Sequence, residues 1–240
     1  MKNELKIAVI IADDAEYEPI KNIIAQKRGR EQNMFERMGH CYEFEKNGKK
    51  IVVNTVLCGI GMVNAAAAAM YYAANGADIL VSIGMSGGIS PELNKGDIIL
   101  GTGFVEHDFD LTGIGYKPAE KPLQTYIYSA DKILSENFIS QNPHTKTGVM
   151  VSGDRFVCTA QDRDSMISMW NAVSCDMETA ASAYVAYLSG KRYLAIRKIS
   201  DGAGDNAVEE YTAMNTKSAN QWIERVFEFF EHLILIPELW

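Results

Sequence analysis

The segment Lys6-Ile-Ala-Val-Ile-Ile-Ala12 decides the fold class, because it is short, apolar and shows no alternation of polar and apolar residues. Short apolar runs of this kind are typical of strands that are covered on both faces, as in a parallel sheet. Four further runs have the same character, at residues 50–57, 79–83, 97–100 and 192–197. The sequence therefore predicts five buried strands in a mainly parallel sheet.

Helical segments are predicted between these strands and after the last of them. Residues 64–75 are rich in alanine, and both this segment and residues 177–189 are followed by a glycine, which commonly ends a helix. Residues 212–232 carry apolar side chains at helical spacing, and we expect four of them in the core: Trp222, Val226, Phe229 and Phe230. This alternation predicts one α/β domain over residues 1–240, a twisted, mixed and mainly parallel central sheet flanked by helices.

The composition limits the classes of partner. The 240-residue chain has 47% hydrophobic and 22% charged residues, which provides apolar surface for a large core. Its formal net charge of −8 repels the phosphate backbone of nucleic acids and the surface of anionic membranes. We therefore expect neither nucleic acid nor membrane as a partner, and a small molecule as the substrate.

The four cysteines and four histidines show no spacing typical of metal ligands, and the cysteines form no C-x-x-C pair. We expect reduced thiols in the core, no metal and no other cofactor. The apolar run near the N-terminus is too short for a signal peptide, and no apolar stretch reaches the length of a membrane span. These features predict a cytoplasmic protein.

Acidic residues follow the first predicted strand directly. Asp13, Asp14 and Glu16 place three carboxylates within four residues, and one of them held near apolar surface would have a raised pKa suited to work as a base. The same residues are also typical of an ordinary helix N-terminus, where acidic side chains are favoured. The local pattern alone favours this second interpretation.

In three further segments, glycine or acidic residues directly follow the end of a predicted strand, and α/β sheets bind ligands at such ends. The glycine-rich segment 84–88 either lets backbone approach a ligand or forms a tight turn. In 175–179, Glu178 either accepts ribose hydroxyls or is an N-terminal acid of the next helix. In 197–204, the Ser-Asp-Gly sequence either aims Asp201 out of the sheet edge or is a simple turn.

Taken in chain order, these four segments resemble the nucleoside phosphorylase superfamily, and most closely its 5′-methylthioadenosine/S-adenosylhomocysteine nucleosidases. Three further segments resemble motifs of the same superfamily: Cys58-Gly-Ile-Gly-Met-Val-Asn64, Gly96-Asp97-Ile98 and Val151-Ser-Gly-Asp-Arg-Phe156. The resemblance extends over nearly the whole chain. It implies the fold of that superfamily and cleavage of the N-glycosidic bond of a purine nucleoside.

The resemblance also implies catalytic roles. Asp201, oriented by Ser200, would donate a proton to the five-membered-ring nitrogen of the purine. Glu16, together with Arg197, would position and activate the attacking water. An aspartate at position 201 suits a 6-aminopurine, because it can accept from the amino group while donating to the ring nitrogen. The expected products are adenine and a ribose derivative.

Substrate-binding roles follow from the same resemblance. Glu178 and the Met177 backbone would hold the ribose hydroxyls, while Phe156 would stack on the base and the Val157 backbone would read its edge. The pocket for the 5′ substituent would be lined by Ile60, Tyr211 and, from a neighbouring subunit, Ile114 and Tyr116. The last two lie in residues 105–122, predicted as a long loop with too many apolar side chains for free exposure. We therefore predict a homodimer.

Two residues depart from the nucleosidase pattern. Met85 stands where these enzymes have serine or threonine, near the water or phosphate, and Asp13 stands where they have an apolar residue beside the 5′ substituent. A buried carboxylate costs several kcal/mol unless it is paired. Asp13 therefore either favours a polar 5′ group or turns away to cap the helix that follows.

Two alternatives remain open. A phosphate-dependent phosphorylase needs cationic side chains for phosphate, whereas the first strand is followed here by carboxylates, which repel it. A catalytically silent nucleoside-binding relative is the second alternative, and the departure at Met85 is the feature that favours it. The presence of both Asp201 and Glu16 favours an active enzyme over this silent relative.

Overall fold

The computed structural model of the chain describes residues 3–213 and 220–240. The strands are β1 (Glu4–Ile11), β2 (Arg30–Glu31), β3 (Gly39–Lys46), β4 (Lys49–Leu57), β5 (Ile79–Gly88), β6 (Ile98–Glu106), β7 (Ile127–Ser129), β8 (Lys146–Ser152), β9 (Ala172–Asp176) and β10 (Arg192–Asp201). The helices are α1 (Asp14–Gln26), α2 (Met62–Ala74), α3 (Lys132–Gln141), α4 (Ala160–Trp170), α5 (Thr179–Ser189), α6 (Ala207–Thr212) and α7 (Asn220–His232). Short 3-10 turns occur at Thr112–Ile114, Leu233–Leu235 and Pro237–Leu239.

The strands form one mixed sheet whose centre is parallel. β1 lies between β4 and β5, and β5 pairs with β10, all in parallel. From β10 the sheet continues through β6, β8 and β9, and β9 returns to the end of β5. The five strands β5, β10, β6, β8 and β9 thus form a closed ring. Beyond β1, the sheet continues through β4, β3 and β2. This arrangement confirms the predicted fold class.

Both faces of the sheet are covered, which explains the lack of alternation in the first strand. Ile7, Val9 and Ile11 of β1 pack with α1 and α7 on one face. Ala8 and Ile10 pack with α2 and α5 on the other. Because successive side chains of a strand point to opposite faces, a strand buried twice needs apolar residues at every position.

The two helical layers differ in composition. α2 and α5 contribute mostly alanines to their layer, and small side chains let these helices pack closely on the sheet. α7 contributes large side chains instead, and the four predicted core residues are all buried: Trp222, Val226, Phe229 and Phe230. Burial of each such aromatic side chain stabilises the fold by roughly 1.5–3 kcal/mol.

Several predicted boundaries were wrong. Residues 84–88 are not a turn but the end of β5, which continues past the predicted limit at residue 83. Thr212 does not begin the last helix, since it ends α6, and residues 214–219 of that prediction lie outside the described residues. The helix predicted from Met177 begins at Thr179, after the backbone has turned at Glu178.

The predicted loop 105–122 begins two residues later than expected, because β6 extends to Glu106. It carries one short 3-10 turn and is otherwise irregular. Lys121 anchors its end: the ammonium forms an ion pair with Glu106 and lies over the rings of Phe109, Tyr128 and Tyr184. Within the described part of the chain, no helix has both the length and the apolar character needed to cross a bilayer.

Candidate active site

A cavity of about 300 Å³ opens where β1, β5, β9 and β10 end. All but three of the predicted site residues line it: Asp13, Glu16, Ile60, Met85, Phe156, Val157, Met177, Glu178, Ser200, Asp201 and Tyr211. Segments far apart in sequence meet here because neighbouring strand ends share one edge of the sheet. We refer to this cavity as the pocket.

Glu16 enters the pocket from the first turn of α1. Asp13 caps this helix, since its Oδ1 accepts a hydrogen bond from Ala15 N at 2.8 Å, so the capping interpretation describes the observed contact. Glu16 Oε1 accepts from the backbone N–H of Met85 at 2.6 Å. Burial raises the pKa of Glu16 to about 8, although the positive charge of Arg197 opposes the shift.

Gly84 makes room for this carboxylate. A Cβ atom at position 84 would lie 2.8 Å from Glu16 Oε2 and 3.0 Å from Arg197 Nη1, closer than real Cβ contacts. Glycine is therefore required because side chains from β10 and α1 converge on the backbone of β5, and no turn is involved.

Arg197 is buried behind the pocket and does not line it. Its Nε donates to Asp176 Oδ2 at 2.8 Å, and its Nη2 lies 3.7 Å from Glu178 Oε2. Nη2 also donates to the hydroxyls of Ser82 and Thr179, at 2.9 and 3.0 Å. The guanidinium is thus held by a closed set of partners, which satisfies a charge that would otherwise be costly to bury.

Asp176 organises the start of α5, a role that was not predicted from the sequence. Its Oδ1 accepts from the backbone N–H groups of Glu178 and Thr179 at 3.1 and 3.0 Å, and from Ser152 Oγ at 2.5 Å. Burial alone would raise the pKa of Asp176, but Arg197 and these hydrogen bonds hold it below its ordinary value. Polar residues such as Ser82 and Ser152 inside otherwise apolar strands were the available signal for this network.

Glu178 is a buried residue of the pocket lining. Its Oε1 accepts from the backbone N–H of Gly61 at 2.9 Å, just before α2 begins. Burial, together with the nearby negative charge of Asp176, raises the pKa of Glu178. Since Oε2 is 3.7 Å from Arg197, the carboxylate is fixed at both oxygens while its edge faces the cavity.

Asp201 is the last residue of β10 and is almost fully buried. Its Oδ2 is 2.7 Å from Ser200 Oγ, and its Oδ1 accepts from Ala203 N at 2.9 Å. Burial raises the pKa of Asp201, although both hydrogen bonds oppose this. A buried carboxyl group with a raised pKa that is held in one orientation is suited to act as a general acid.

Aromatic side chains form the remaining wall. Phe156 and Tyr211 meet edge to face with ring centroids 5.6 Å apart, and both are partly exposed. Val157 beside them is buried. Burial, followed by the negative charge of Asp13, raises the pKa of Tyr211, which places Asp13 close to this wall.

Two of the predicted residues are not brought into this pocket by the chain itself. Ile114 is 73% exposed on the loop, and Tyr116 is partly buried there. Neither lines the cavity. Among residues 3–213 and 220–240, no three His, Cys, Asp or Glu side chains are arranged to hold a metal ion.

The closed sheet and a pocket of buried carboxyl groups define a class of α/β enzyme that acts on small molecules. A family model described as "Phosphorylase superfamily" matches residues 6–235, and the chain belongs to this superfamily.

The chain is similar to curated 5′-methylthioadenosine/S-adenosylhomocysteine nucleosidases. That of Desulfotalea psychrophila is 29% identical over 82% of this chain and 87% of its own length. That of Haemophilus influenzae is 29% identical over 95% of this chain and its whole length. A solved structure of the Neisseria meningitidis nucleosidase in complex with methylthio-immucillin-A is 27% identical, with a TM-score of 0.84 over 95% of this chain and 99% of that one.

Proposed function

We propose that the protein hydrolyses the N-glycosidic bond of 6-aminopurine nucleosides such as 5′-methylthioadenosine or S-adenosylhomocysteine, releasing adenine and a ribose derivative. One observation carries this proposal: two carboxyl groups with raised pKa, the partly buried Glu16 and the buried Asp201, line the same pocket together with Glu178. The relatives named as nucleosidases agree with it.

Departure of the base is the first chemical step. Asp201 donates its proton to the five-membered-ring nitrogen of the purine, and the electron pair of the breaking C–N bond moves onto the base. The base leaves as a neutral molecule, and the ribose acquires oxocarbenium character. Ser200 and Ala203 hold the carboxyl group in place, so that no reorientation is needed as the bond breaks.

Capture by water is the second step. Glu16 in its ionised form accepts a proton from water, whose oxygen then bonds to the anomeric carbon of the sugar. Glu178 holds the ribose hydroxyls during both steps, which fixes the carbon relative to acid and base. A positioned acid or base of this kind contributes about 10²–10⁴-fold to the rate.

The charges of the pocket argue against phosphate as the nucleophile. Arg197 is buried, and the carboxylates of Asp176 and Glu178 already engage its charge. Arg155 does line the pocket, and it forms an ion pair with Asp162 at 2.7 Å. An anion entering beside Asp13 and the ionised form of Glu16 would meet repulsion, which favours water over phosphate.

Met85 is compatible with catalysis, which weakens the case for a silent binding protein. Its contact with Glu16 is made by the backbone N–H, and this group is present whichever side chain the residue carries. The hydrogen bond orients the carboxylate of Glu16 in the absence of a serine or threonine hydroxyl at this position.

The 5′ substituent extends toward Asp13, Ile60 and Tyr211, at the end of the pocket beyond Glu178. Asp13 uses Oδ1 to cap α1 and still lines the cavity. Its negative charge favours a hydroxyl or amino group on C5′ over a thioether, because an unpaired polar group costs about 1–3 kcal/mol on burial. We therefore expect adenosine to compete better with methylthioadenosine than the family resemblance alone would imply.

We also propose that the protein is a homodimer in which each loop 107–122 completes the partner's pocket. Exposed apolar side chains support this association: Phe35, Ile60, Val63, Met70 and Ile114. Patches of this kind mark association surfaces. A second copy would cover Ile114, which is exposed and belongs to none of the core clusters formed by the described residues.

A cytoplasmic location is proposed on the basis of thiol chemistry. All four cysteines are unpaired, and three of them are buried. Unpaired cysteines are typical of proteins that stay in a reducing compartment.

A nucleoside panel tests the proposed function. Methylthioadenosine, S-adenosylhomocysteine, adenosine and inosine are incubated with the enzyme, and the free base is quantified. The proposal predicts adenine release from at least one 6-aminopurine nucleoside, with inosine cleaved far more slowly. Tight binding of the nucleosides without any base release would identify a silent relative instead.

A further inference from the structure

α2 begins without a capping side chain of its own. The residue before it, Gly61, has φ of +106° and offers no side chain to the first turn. Its N–H donates instead to Glu178 Oε1 at 2.9 Å, and the next N–H, of Met62, donates to Asp154 Oδ1 at 2.7 Å. Two carboxylates from distant segments thus share one helix N-terminus, where the exposed N–H groups and the helix dipole favour negative charge.

Asp154 belongs to residues 153–157, which we term the base loop because its Phe156 and Val157 line the aromatic end of the pocket. The loop is bonded on its other side as well: Asp154 N donates to Asp108 Oδ2 at 2.7 Å. Asp108 lies near the start of the loop 107–122. Asp154 is therefore joined both to α2 and to the segment that we expect to reach the partner subunit.

These contacts leave little freedom. A Cβ atom on Gly61 would lie 3.0 Å from Asp154 Oδ1, and the positive φ of Gly61 is itself unfavourable for other residues. A Cβ atom on Gly153 would lie 2.7 Å from His107 Nε2 and 2.8 Å from Asp108 Oδ2. Glycines on both sides of the Asp154 contact permit this close approach.

We propose that Asp154 is a positioning residue that fixes the base loop relative to Glu178 through the N-terminus of α2. It does not line the pocket itself. The base loop provides the stacking surface for the purine, and Glu178 contacts the ribose. The distance and orientation between the base loop and Glu178 therefore determine how well a whole nucleoside fits. The assignment of these two subsites rests on the proposed function.

The test measures affinity as well as turnover in Asp154→Ala. A lost helix cap is worth about 1 kcal/mol, which corresponds to roughly a fivefold change in an equilibrium constant. We expect KM, and the Kd of an uncleavable C-nucleoside analogue of adenosine measured by calorimetry, to rise about five- to tenfold. The value of kcat should change less than about threefold, because the contact is made equally in ground and transition states.

Matched variants separate positioning from general stability. Asp154→Asn keeps an acceptor oxygen and should recover most of the affinity. Asp131→Ala removes the N-cap of α3, where Asp131 accepts from Leu134 N at 3.0 Å, together with an ion pair to Arg192. Because Asp131 does not line the pocket, this variant should lower Tm without changing KM. If the alanine variant is insoluble, Asp154→Ser, which removes the carboxylate, serves in its place.

A double-mutant cycle that combines Asp154→Ala with Phe156→Ala, measured by Kd, decides whether Asp154 acts through the base loop. If Asp154 acts through the base loop, Asp154→Ala should change Kd by less than about twofold once the stacking ring is gone. An equal loss of affinity in both backgrounds, or a loss of Tm with unchanged KM and Kd, would overturn the proposal. Should the enzyme bind nucleosides without cleaving them, the proposed function fails, but the affinity cycle still decides the role of Asp154.

Discussion

Replacing Glu16 by glutamine should remove a large pH dependence from the stability of the protein. Glutamine keeps the shape of the side chain and an acceptor oxygen for the N–H of Met85, but it cannot ionise. In the wild-type protein, burial raises the pKa of Glu16 from its ordinary value of 4.5 to about 8. Between these two values the folded state binds the proton more tightly than the unfolded state does. Folding stability contributed by this group is therefore present at low pH and is lost as the pH rises toward 8.

The size of the effect follows from the shift. The pKa shift of Glu16 can change the unfolding free energy by at most roughly 5 kcal/mol over the whole pH range. About 3 kcal/mol of this change falls between pH 5 and pH 8. Because the carboxyl group borders the open pocket, solvent reduces this to on the order of 2 kcal/mol. The difference in unfolding free energy between Glu16→Gln and wild type should grow by that amount from pH 5 to pH 8.

Urea denaturation at several pH values between these limits, followed by fluorescence, gives the measurement. Glu18→Gln on the exposed side of the same helix is the matched control, and its difference from wild type should not change with pH. A Glu16→Gln difference that stays constant within about 0.5 kcal/mol would refute the raised pKa and, with it, the argument that burial sets the state of this base.

Three further predictions concern activity and assembly. Asp201→Asn should abolish adenine release while leaving the fold intact, since an amide cannot donate a sufficiently acidic proton, and retention of more than about a tenth of the rate would remove Asp201 from the role of acid. Asp13→Met should shift the ratio of kcat/KM for methylthioadenosine over adenosine toward the thioether by roughly ten- to a hundredfold, and an unchanged ratio with a lowered Tm would mean that Asp13 acts only as a cap. Light scattering at micromolar concentration should give the mass of a dimer, and a fully active monomer would contradict a pocket completed by the loop 107–122.

The sheet was predictable because its strands are buried on both faces. The apolar runs around Ile7 and Leu194 pack against the helical layers on both faces of the sheet. Every position of such a strand is therefore apolar, and the run can be recognised in the sequence. Strand β3, next to the edge of the sheet, was missed for the opposite reason. In β3, polar residues such as Glu43 and Glu45 face solvent, and their pattern resembles that of a loop.

The strand ends predicted where the pocket lies and the family resemblance implied most of its residues, whereas the contacts between these residues could not be predicted from the sequence. Nothing local in the sequence shows that Asp154 bonds α2, or that Arg197 is held behind the pocket by Asp176. Such contacts join residues tens of positions apart and arise only when the sheet closes. The role of Gly84 was likewise hidden, because a glycine in a predicted turn and a glycine facing a buried carboxylate look the same in sequence.

The central claim is that this pocket uses water to release adenine from a nucleoside. The most direct measurement incubates the wild-type enzyme with methylthioadenosine and with adenosine, in phosphate-free buffer and in phosphate buffer, and identifies both products by mass. Hydrolysis predicts adenine together with the free sugar at a rate that phosphate does not increase. Adenine release that requires phosphate and yields a sugar 1-phosphate, or no adenine from either nucleoside, would contradict it.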